Sequence, residues 1–427
     1  MGMSSALLTD HYELTMLQAA LASGAAHRRA VFEVFARHLP GGRRYGVVAG
    51  TGRVLDALAG FRFGDAELAY LRENRVVNDE TLAFLASYRF SGDVRGYREG
   101  ECYFPGSPIM VVDGTFAEAG LLETVILSIL NHDSAIASAA SRMVGAAGSR
   151  PIIEFGSRRT HEAAAVASAR AAYLAGFSST SNLMAGSVYG VPTAGTAAHA
   201  FTLLHDSEYD AFQAQIDSLG AETTLLIDTY DVAKAVRTAV ELAGPALGAV
   251  RIDSGDLAVA AHEVREMLDS LGATRTRIVV TSDLDEYSIA ALAAAPVDGY
   301  GVGTSVVTGS GVPTAAMVYK LVAREDADGV LQPVAKKSVG KPSRGGGKNA
   351  FRALEDGTAV AELVTSADAP APAGARPLLH ELVRGGEIVG REPLDAARER
   401  HRASVNELPV PARQLSHGDP VIPTVFS

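Results

Sequence analysis

The sequence predicts an α/β protein: a barrel of parallel strands linked by helices, preceded by a separate lobe that is mainly antiparallel. The middle of the chain alternates short apolar runs with amphipathic helical patterns, which is typical of a parallel sheet with helical crossovers. The first hundred or so residues show strand-like alternating runs instead, as in an antiparallel sheet with one solvated face. These runs lie at 29–37, 43–50 and 90–101.

Six short apolar or β-branched runs are the predicted strands of the barrel. They lie at 151–155, 191–195, 224–228, 249–253, 277–281 and 299–303. Five helical patterns between or beside them place apolar residues three and four positions apart, at 160–175, 207–219, 231–243, 257–271 and 286–295. So many strand–helix units in succession favour a closed barrel over an open sheet, although periodicity alone does not decide between the two.

A polar cluster follows each predicted strand. In chain order the clusters read EFGSRR, GTAAH, DTYD, DSGD, SDLD and GTS. In a barrel all these strand ends open onto one face, where active sites are built. Helix capping accounts for some of the polar residues, namely Asp206, Asp231 and Ser282. It does not account for Arg158, Arg251 and His199, which we take as candidate functional residues.

Composition and charge exclude several classes of protein. The 427 residues are 47% hydrophobic and 20% charged, as in an ordinary folded globular protein, and the net charge of −11 argues against a nucleic-acid or anionic-membrane partner. A single cysteine, Cys102, excludes an internal disulfide and a cysteine-rich metal site and fits a reducing compartment. No signal peptide and no charge-free run of membrane-spanning length is present in the sequence. We therefore predict a cytoplasmic protein.

Several elements suit an anionic small molecule. The planar fork of arginine matches a carboxylate or phosphate, and Arg158 and Arg251 belong to the predicted rim. Glycines at 299, 301 and 303 lead into a GTS sequence, which resembles a barrel phosphate site but also a tight turn. Residues 336–348 carry four lysines, one arginine and four glycines, and either form a flexible linker or fold over a polyphosphate. Together these elements favour an anionic substrate.

Ten short motifs follow one another along most of the chain. They are TDHYELTM (9–16), FEVFARHLPGGRRYGVVAG (32–50), EFGSRR (154–159), STSNLMAG (179–186), GTAAHA (195–200), IDTYD (227–231), VRIDSGDL (250–257), TSDLDE (281–286), YGVGTSVV (300–307) and VYKLV (318–322). In this order and spacing the chain resembles the nicotinate phosphoribosyltransferase family from about residue 9 to residue 352. Ten motifs in register are far more specific than any one of them.

The resemblance implies an architecture. It implies an irregular TIM-like α/β barrel with a second α/β sandwich lobe, built from the N-terminal region and part of the C-terminal region. We assign residues 1–115 to the sandwich lobe, completed by 340–427, and residues 116–339 to the barrel catalytic domain. Residues 340–427 would carry the phosphate loop and a C-terminal extension. The family also implies a homodimer whose active sites draw on both chains.

The resemblance also implies an activity. Nicotinate would condense with phosphoribosyl pyrophosphate to give nicotinate mononucleotide and pyrophosphate, coupled to the hydrolysis of ATP as co-substrate, with Mg²⁺ on the phosphates. This is the first step of NAD synthesis from nicotinate. His199 matches the histidine that accepts the γ-phosphoryl group, and Asp228 or Asp231 would fix its tautomer. Asp253 and Asp256 would position ribose hydroxyls or the magnesium ion.

Other motif residues match contacts to the two substrates. Tyr12, expected from the neighbouring subunit, and Phe155 match an aromatic pair that sandwiches the pyridine ring. Arg251 and Thr196 match contacts to the nicotinate carboxylate. Ser181 stands where nicotinamide-using relatives carry an aspartate, which favours the acid as substrate. The resemblance assigns the phosphate contacts to Arg158, Gly303, Thr304, Lys320, Lys337 and Lys348.

Three alternative functions stay open at this point, and the sequence departs from the family pattern in two places. The alternatives are a nicotinamide-using phosphoribosyltransferase, a non-catalytic phosphosugar-binding protein and a magnesium-dependent barrel lyase. The lyase would use Asp228, Asp253 and Asp283 as its metal triad, but the lysines cluster after the barrel, where none would serve as its base. The departures are RGGGK at 344–348, where the family pattern has P-G-x-K, and Ala200, where a polar residue often follows the histidine.

Overall fold

The protein divides into two compact units in the computed structural model, which describes residues 4–336 and 343–427. One unit contains the described residues up to Ser138 together with those from Val312 onward, and the other is Ala139–Gly311. The boundaries that we predicted, at residues 115 and 339, differ from these. The strand Met317–Glu325 pairs with Arg29–Ala36 and so belongs to the first unit, and a long helix, Glu123–Ala147, contains the boundary near Ser138.

The first part of the chain supplies helices and strands to the first unit. In order these are α1 (His11–Ala22), β1 (Arg29–Ala36), β2 (Gly46–Val47), α2 (Thr51–Gly60), α3 (Asp65–Glu73), α4 (Asp79–Ser87), β3 (Asp93–Gly96), β4 (Cys102–Tyr103), β5 (Met110–Thr115), α5 (Phe116–Gly120) and α6 (Glu123–Ala147). Side-chain caps set two of the helix starts. Asn78 accepts the N–H of Thr81 before α4, and Thr115 forms a capping box with Glu118 before α5.

The second unit contains the parallel sheet. Its elements are β6 (Ile152–Glu154), α7 (Glu162–Leu174), β7 (Ser179–Thr180), α8 (Leu183–Tyr189), α9 (His199–Leu204), α10 (Glu208–Leu219), β8 (Thr224–Leu226), α11 (Val232–Ala243), β9 (Ala249–Ile252), α12 (Leu257–Ser270), β10 (Arg277–Val280), α13 (Glu286–Ala291), β11 (Gly299–Val302) and α14 (Thr304–Val307). The six strands are parallel in the order β7-β6-β11-β10-β9-β8. The last strand, β11, lies beside the first, β6, as in a barrel. On one side β7 follows β6, and on the other β10, β9 and β8 follow β11. The predicted TIM-like α/β fold class is confirmed.

One predicted strand, 191–195, is wrong. Only Thr193 forms a parallel bridge, to Thr180 of β7. Pro192 lacks the N–H that a central strand would donate, although its carbonyl accepts the Thr180 N–H and Ala194 donates back to the Thr180 carbonyl. The chain then runs without regular structure to α9, which begins at His199. The sheet is therefore an irregular barrel sheet, and the irregular segment carries Thr196.

The rest of the chain completes the first unit. Its elements are β12 (Met317–Glu325), β13 (Leu331–Pro333), β14 (Lys348–Glu355), β15 (Thr358–Ser366), β16 (Arg376–Pro377), β17 (His380–Arg384), β18 (Glu387–Ile388), α15 (Leu394–Glu407) and β19 (Thr424–Phe426). Seven strands pair antiparallel in the order β13-β12-β1-β5-β3-β17-β18, and β16-β14-β15-β19 form a second sheet.

The main core of this unit lies on one face of the seven-stranded sheet. Leu14 of α1, Leu55 of α2 and Leu82 of α4 pack in one cluster with Phe32 of β1 and Val112 of β5. Because alternate residues of a strand face opposite sides, Val31 belongs instead to a smaller cluster on the other face. The lobe therefore has helices on one face of an antiparallel sheet. Within the described ranges, no helix combines the length and apolar character needed to span a bilayer.

Candidate active site

The predicted functional residues of the second unit gather at the carboxyl ends of its strands. Phe155 follows β6, Asp228 follows β8 and Asp253 follows β9. Ser181 follows β7, and Gly303 and Thr304 follow β11. Parallel strands linked by helical crossovers bring these ends to one edge of the sheet. The sequence pattern thus places side chains from distant parts of the chain at one rim.

His199 is the first residue of α9, with its side chain 40% exposed. Its Nδ1 lies 3.1 Å from the hydroxyl of Thr229. Its Nε2 faces two carboxylates, at 3.7 Å from Asp253 Oδ2 and 4.0 Å from Asp228 Oδ1. The imidazole is therefore hydrogen-bonded on one side and open on the other, where an incoming group would meet the carboxylates.

Asp228 and Asp253 differ in environment. The Asp228 side chain is 4% exposed, and its Oδ2 accepts the Asp253 N–H at 2.8 Å and the Ser254 hydroxyl at 2.7 Å. Its Oδ1 is buried and accepts no hydrogen bond from the described residues. Burial alone would raise the pKa of Asp253, but the Thr281 hydroxyl and the charge of Arg251 lower it below its usual value. Asp253 is therefore ionised near neutral pH.

Arg251 connects the carboxylates to an aromatic surface. Its Nε donates to Thr281 Oγ1 at 2.9 Å. Its Nη1 donates to Thr196 Oγ1 at 2.8 Å and to the Ala197 carbonyl at 3.1 Å. Its Nη2 lies 3.1 Å from Asp253 Oδ1. Hydrogen bonds to described residues therefore engage Nε and Nη1, whereas Nη2 forms an ion pair with Asp253. The guanidinium carbon lies 5.7 Å from the centre of the Phe155 ring.

The Phe155 ring occupies space that only a glycine leaves open. A Cβ atom built on Gly301 of β11 would come within 2.5 Å of the ring, so any side chain at position 301 would displace it. The loop after β6 also touches the loop after β11, since a Cβ on Gly156 would lie 3.1 Å from the Gly303 carbonyl oxygen. Thr304 begins the short helix α14, and Arg158 is exposed at the end of the turn after Phe155. Ser181 donates its N–H to the Glu154 carbonyl at 2.9 Å.

The remaining predicted residues belong to the first unit or lie outside the described residues. Tyr12 is an exposed residue of α1, and burial of its hydroxyl, together with the charge of Glu123, raises the pKa of its phenol to about 12. Lys320 Nζ lies 3.7 Å from Glu123. Lys348 is largely buried and its ammonium group donates to Glu33 at 2.8 Å and to the carbonyls of Arg344 and Gly346. Lys337 lies outside the described residues.

Asp231 and Asp256 serve as helix caps. Asp231 accepts the Lys234 N–H at 2.7 Å before α11, and Asp256 accepts the Val259 N–H at 3.2 Å before α12. Capping engages one oxygen of each carboxylate and leaves Asp231 without a contact to His199 among the described residues. Of the two aspartates that we expected to orient the imidazole, Asp228 is the one that approaches it.

We expect the Asp256→Ala variant to lose about 1 kcal/mol in free energy of unfolding, because it leaves the first turn of α12 uncapped. The Asp256→Ser variant keeps a capping oxygen and should retain wild-type stability. If Asp256 acts only as a cap, both variants keep the wild-type dependence of activity on Mg²⁺ concentration. Urea unfolding and a Mg²⁺ titration measure the two properties. If Asp256→Ser needs a higher Mg²⁺ concentration than the wild type for the same activity, Asp256 contributes to the metal site.

Sequence reasoning missed three residues that contact the predicted ones. Thr229 is hydrogen-bonded to His199, and Thr281 is hydrogen-bonded to both Arg251 and Asp253. The side chain of Glu154 accepts two hydrogen bonds next to Phe155. Their position directly at or after a strand end was the available signal. A cluster of polar residues at a strand end does not by itself indicate which side chain each of them contacts.

Metal-binding chemistry at this rim rests on two carboxylates. No group of three or more His, Cys, Asp or Glu side chains in residues 4–336 and 343–427 is arranged to hold a metal ion. The three-aspartate metal site of a barrel lyase, with Asp283 as its third member, is therefore not formed in that part of the chain. Two carboxylates still suit Mg²⁺, which usually keeps several waters and completes its ligands with substrate phosphates.

Comparison with known proteins finds matches along nearly the whole chain. Residues 7–131 match the nicotinate phosphoribosyltransferase (NAPRTase) N-terminal domain and residues 151–369 match the NAPRTase family. The chain is 58% identical to nicotinate phosphoribosyltransferase pncB1 of Mycobacterium tuberculosis, over 98% of this chain and 94% of the relative. It is 31% identical to the human nicotinate phosphoribosyltransferase, over 87% and 81% of the two chains.

Solved structures support the same assignment. The crystal structure of human nicotinic acid phosphoribosyltransferase superposes with a TM-score of 0.85 at 28% identity, covering 98% of this chain and 97% of that one. A nicotinate-nucleotide pyrophosphorylase from Pyrococcus furiosus superposes with a TM-score of 0.77 at 26% identity, covering 94% and 95%. By sequence along nearly its whole length and by fold, the chain belongs to the nicotinate phosphoribosyltransferase family.

Proposed function

We propose that this protein condenses nicotinate with phosphoribosyl pyrophosphate to give nicotinate mononucleotide and pyrophosphate, the first step of NAD synthesis from nicotinate. The observation that carries the proposal is the contact series Phe155–Arg251–Asp253–His199 at the strand ends. It joins an aromatic surface and a guanidinium group, which suit an aromatic acid, to an imidazole that suits phosphoryl chemistry. The names of the relatives support the same substrates.

In this proposal nicotinate lies against Phe155 with its carboxylate toward Arg251. Nη2 of Arg251, which forms an ion pair with Asp253, would also donate to the nicotinate carboxylate, and the Thr196 hydroxyl would stay a neutral hydrogen-bond partner of the same guanidinium. Ser181 brings no negative charge, whereas an aspartate at that position would repel the acid and favour the amide. Tyr12 of a second chain would cover the other face of the pyridine ring. The pyridine nitrogen carries no proton to remove, so the attack needs no general base.

ATP would act through His199. The unprotonated nitrogen attacks the γ-phosphorus, an N–P bond forms, the bond to the bridging oxygen breaks and ADP leaves; water later cleaves the N–P bond to give phosphate. Thr229 supports attack from Nε2, because its hydroxyl oxygen can accept a hydrogen bond from Nδ1–H and so favour the tautomer in which Nε2 carries the lone pair. Asp228 and Asp253 would act on the same side of the ring.

The two carboxylates beside Nε2 make a divalent cation necessary for this step. Without one, an incoming triphosphate would meet two negative charges within about 4 Å of the nucleophile, which opposes binding. Asp228, with its unpartnered buried Oδ1, and Asp253 would hold Mg²⁺ together with phosphate oxygens. Mg²⁺ supplies charge neutralisation on the phosphates when it is bound.

The phosphoribosyl donor would lose pyrophosphate through an oxocarbenium-like transition state at the anomeric carbon. Gly303 and Thr304 would bind the 5-phosphate at the end of β11, and Arg158 is available for a second phosphate contact. Lys320 and Lys337 stay the proposed contacts of the pyrophosphate. Lys348 has its ammonium group engaged by Glu33 and two carbonyls, so its contribution would be to shape the 343–348 loop.

A homodimer with shared active sites completes the proposal. The second unit exposes apolar side chains on α8 and α9, including Leu183, Met184 and Leu204, and a partner surface would remove these from water. On α1, Tyr12 and Met16 are also exposed. We further propose a cytoplasmic location, where the single buried cysteine stays reduced.

A product assay tests the proposed function. The protein is incubated with phosphoribosyl pyrophosphate and with nicotinate, nicotinamide or quinolinate, each with and without ATP. We expect nicotinate mononucleotide from nicotinate, at a rate or yield that ATP increases, and little product from the other two bases. Product from nicotinamide alone would establish the amide-using alternative. No product with any base would favour a binding protein and refute the proposal.

A further inference from the structure

Glu154, the last residue of β6, is a buried carboxyl group at the end of the parallel sheet. It is 1% exposed, and burial raises the pKa of its carboxyl group. A polar group in such a position is unfavourable unless it is hydrogen-bonded. The hydrogen-bond partners of the Glu154 carboxylate therefore indicate its structural role.

The first oxygen of Glu154 bonds to the turn beyond Phe155. Oε1 accepts the backbone N–H of Gly156, a bond from residue i to residue i+2 that bends the chain after the strand. Phe155 lies inside this bend, with φ −123° and ψ 23°, and its own N–H donates to the Val302 carbonyl of β11 at 2.8 Å. The backbone of Phe155 is thus held by the sheet on one side and by Glu154 on the other.

The second oxygen bonds to the end of β7. Oε2 accepts the hydroxyl of Thr180. The same hydroxyl oxygen accepts the N–H of Asn182 at 3.0 Å, and Asn182 Nδ2 donates to Ser157 Oγ at 3.0 Å. These bonds tie the loop after β6 to the loop after β7. We call Glu154, Thr180, Asn182 and Ser157 the strand-end brace.

We infer that Glu154 is a positioning residue for the base pocket: through the strand-end brace it holds the Phe155 ring beside Arg251. The ring has little freedom, because it lies over Gly301 on one side and near the guanidinium on the other. A shift of the turn would move the surface against which the pyridine ring lies. The inference rests on the proposed function, since it takes Phe155 to contact nicotinate.

Kinetics of two Glu154 variants test the inference. Glu154→Ala removes both acceptors, and we expect KM for nicotinate to rise roughly tenfold or more, while kcat and KM for phosphoribosyl pyrophosphate change less than about threefold. Glu154→Gln keeps an oxygen for the Gly156 N–H and offers an amide N–H to the Thr180 oxygen. Its kinetic constants should stay within about threefold of wild type.

A second pair keeps the test valid if Glu154→Ala does not fold. Thr180→Val removes the hydroxyl at nearly constant shape and should raise KM for nicotinate selectively, whereas Thr180→Ser should behave as wild type. Thermal unfolding of each variant shows whether it is folded at the assay temperature.

Three results would overturn the inference. They are equal rises in KM for both substrates, wild-type KM for nicotinate in both Glu154→Ala and Thr180→Val, or a Glu154→Gln variant as impaired as Glu154→Ala. Each presupposes a wild-type protein that turns over nicotinate. A wild-type protein without that activity refutes the proposed function instead, so the two failures are distinguishable.

Discussion

Replacing His199 by alanine is expected to abolish the coupling of nucleotide synthesis to ATP, while a slow ATP-independent synthesis persists. In the proposed reaction the imidazole takes up the phosphoryl group, and alanine offers no nucleophile in its place. We expect ATP hydrolysis to fall about a thousandfold or more, the scale of losing a covalent nucleophile. We expect nicotinate and the phosphoribosyl donor still to bind, because the contacts proposed for nicotinate (Phe155 and Arg251) and for the donor (Gly303 and Thr304) are unchanged.

Two measurements check this expectation. Phosphate release reports ATP hydrolysis, and mass spectrometry after incubation with ATP should find an acid-labile phosphate on His199 in the wild-type protein and none in the variant. His205→Ala is a matched control, since His205 follows α9 directly and bonds the Phe201 carbonyl at 2.8 Å. It should keep both the phosphate and the coupling. Unchanged ATP hydrolysis in His199→Ala would refute the assignment.

Replacing Arg251 by alanine is expected to raise KM for nicotinate roughly 10- to 150-fold, with a much smaller effect on the phosphoribosyl donor. The range follows from the roughly 1.5–3 kcal/mol that a charge-assisted hydrogen bond contributes. The Arg251 side chain is only 14% exposed, so its charge acts on a carboxylate with little screening by water. Arg251→Lys should recover only part of the loss, because a lysine cannot bond Thr196, Thr281 and Asp253 at once.

Initial rates with each substrate varied in turn check the Arg251 prediction. Arg277→Ala is the matched control, because Arg277 begins β10 at the opposite end of the sheet. Its KM for nicotinate and its KM for the phosphoribosyl donor should stay at wild-type values. Thermal unfolding separates lost binding from lost structure, since Asp253 loses a cationic neighbour in the Arg251 variant. Equal rises in KM for both substrates would remove Arg251 from the base pocket.

The fold was largely predictable because its signal is local. Helices α10, α11 and α12 follow the predicted patterns to within a residue or two, since apolar spacing and N-terminal caps lie within each segment. The predicted strand at 191–195 failed because Pro192 removes a ladder donor in an otherwise β-like run. The two compact units differ from the predicted domain bounds, because pairing of Met317–Glu325 with Arg29–Ala36 joins segments nearly 300 residues apart, which no local pattern encodes.

The identity of the main site residues was predictable from the sequence, whereas their hydrogen-bond partners were less so. The motifs alone indicated His199, Asp228, Asp253 and Arg251, and the fold brings these four together. They did not indicate that Lys348 would bond Glu33 and two carbonyls, because that depends on which side chains the folded lobe places beside its ammonium group.

The sequence by itself determined the strand–helix rhythm, the family and the chemical types at the strand ends. Those properties depend on residue identity and short-range spacing, which the chain carries whether or not it is folded. The tertiary structure alone decided the partners: Thr229 for the imidazole, Thr281 for Arg251 and Asp253, and Thr180 for Glu154. A hydrogen bond between neighbouring strands depends on their register to within a fraction of an ångström, and that register exists only after the sheet has formed.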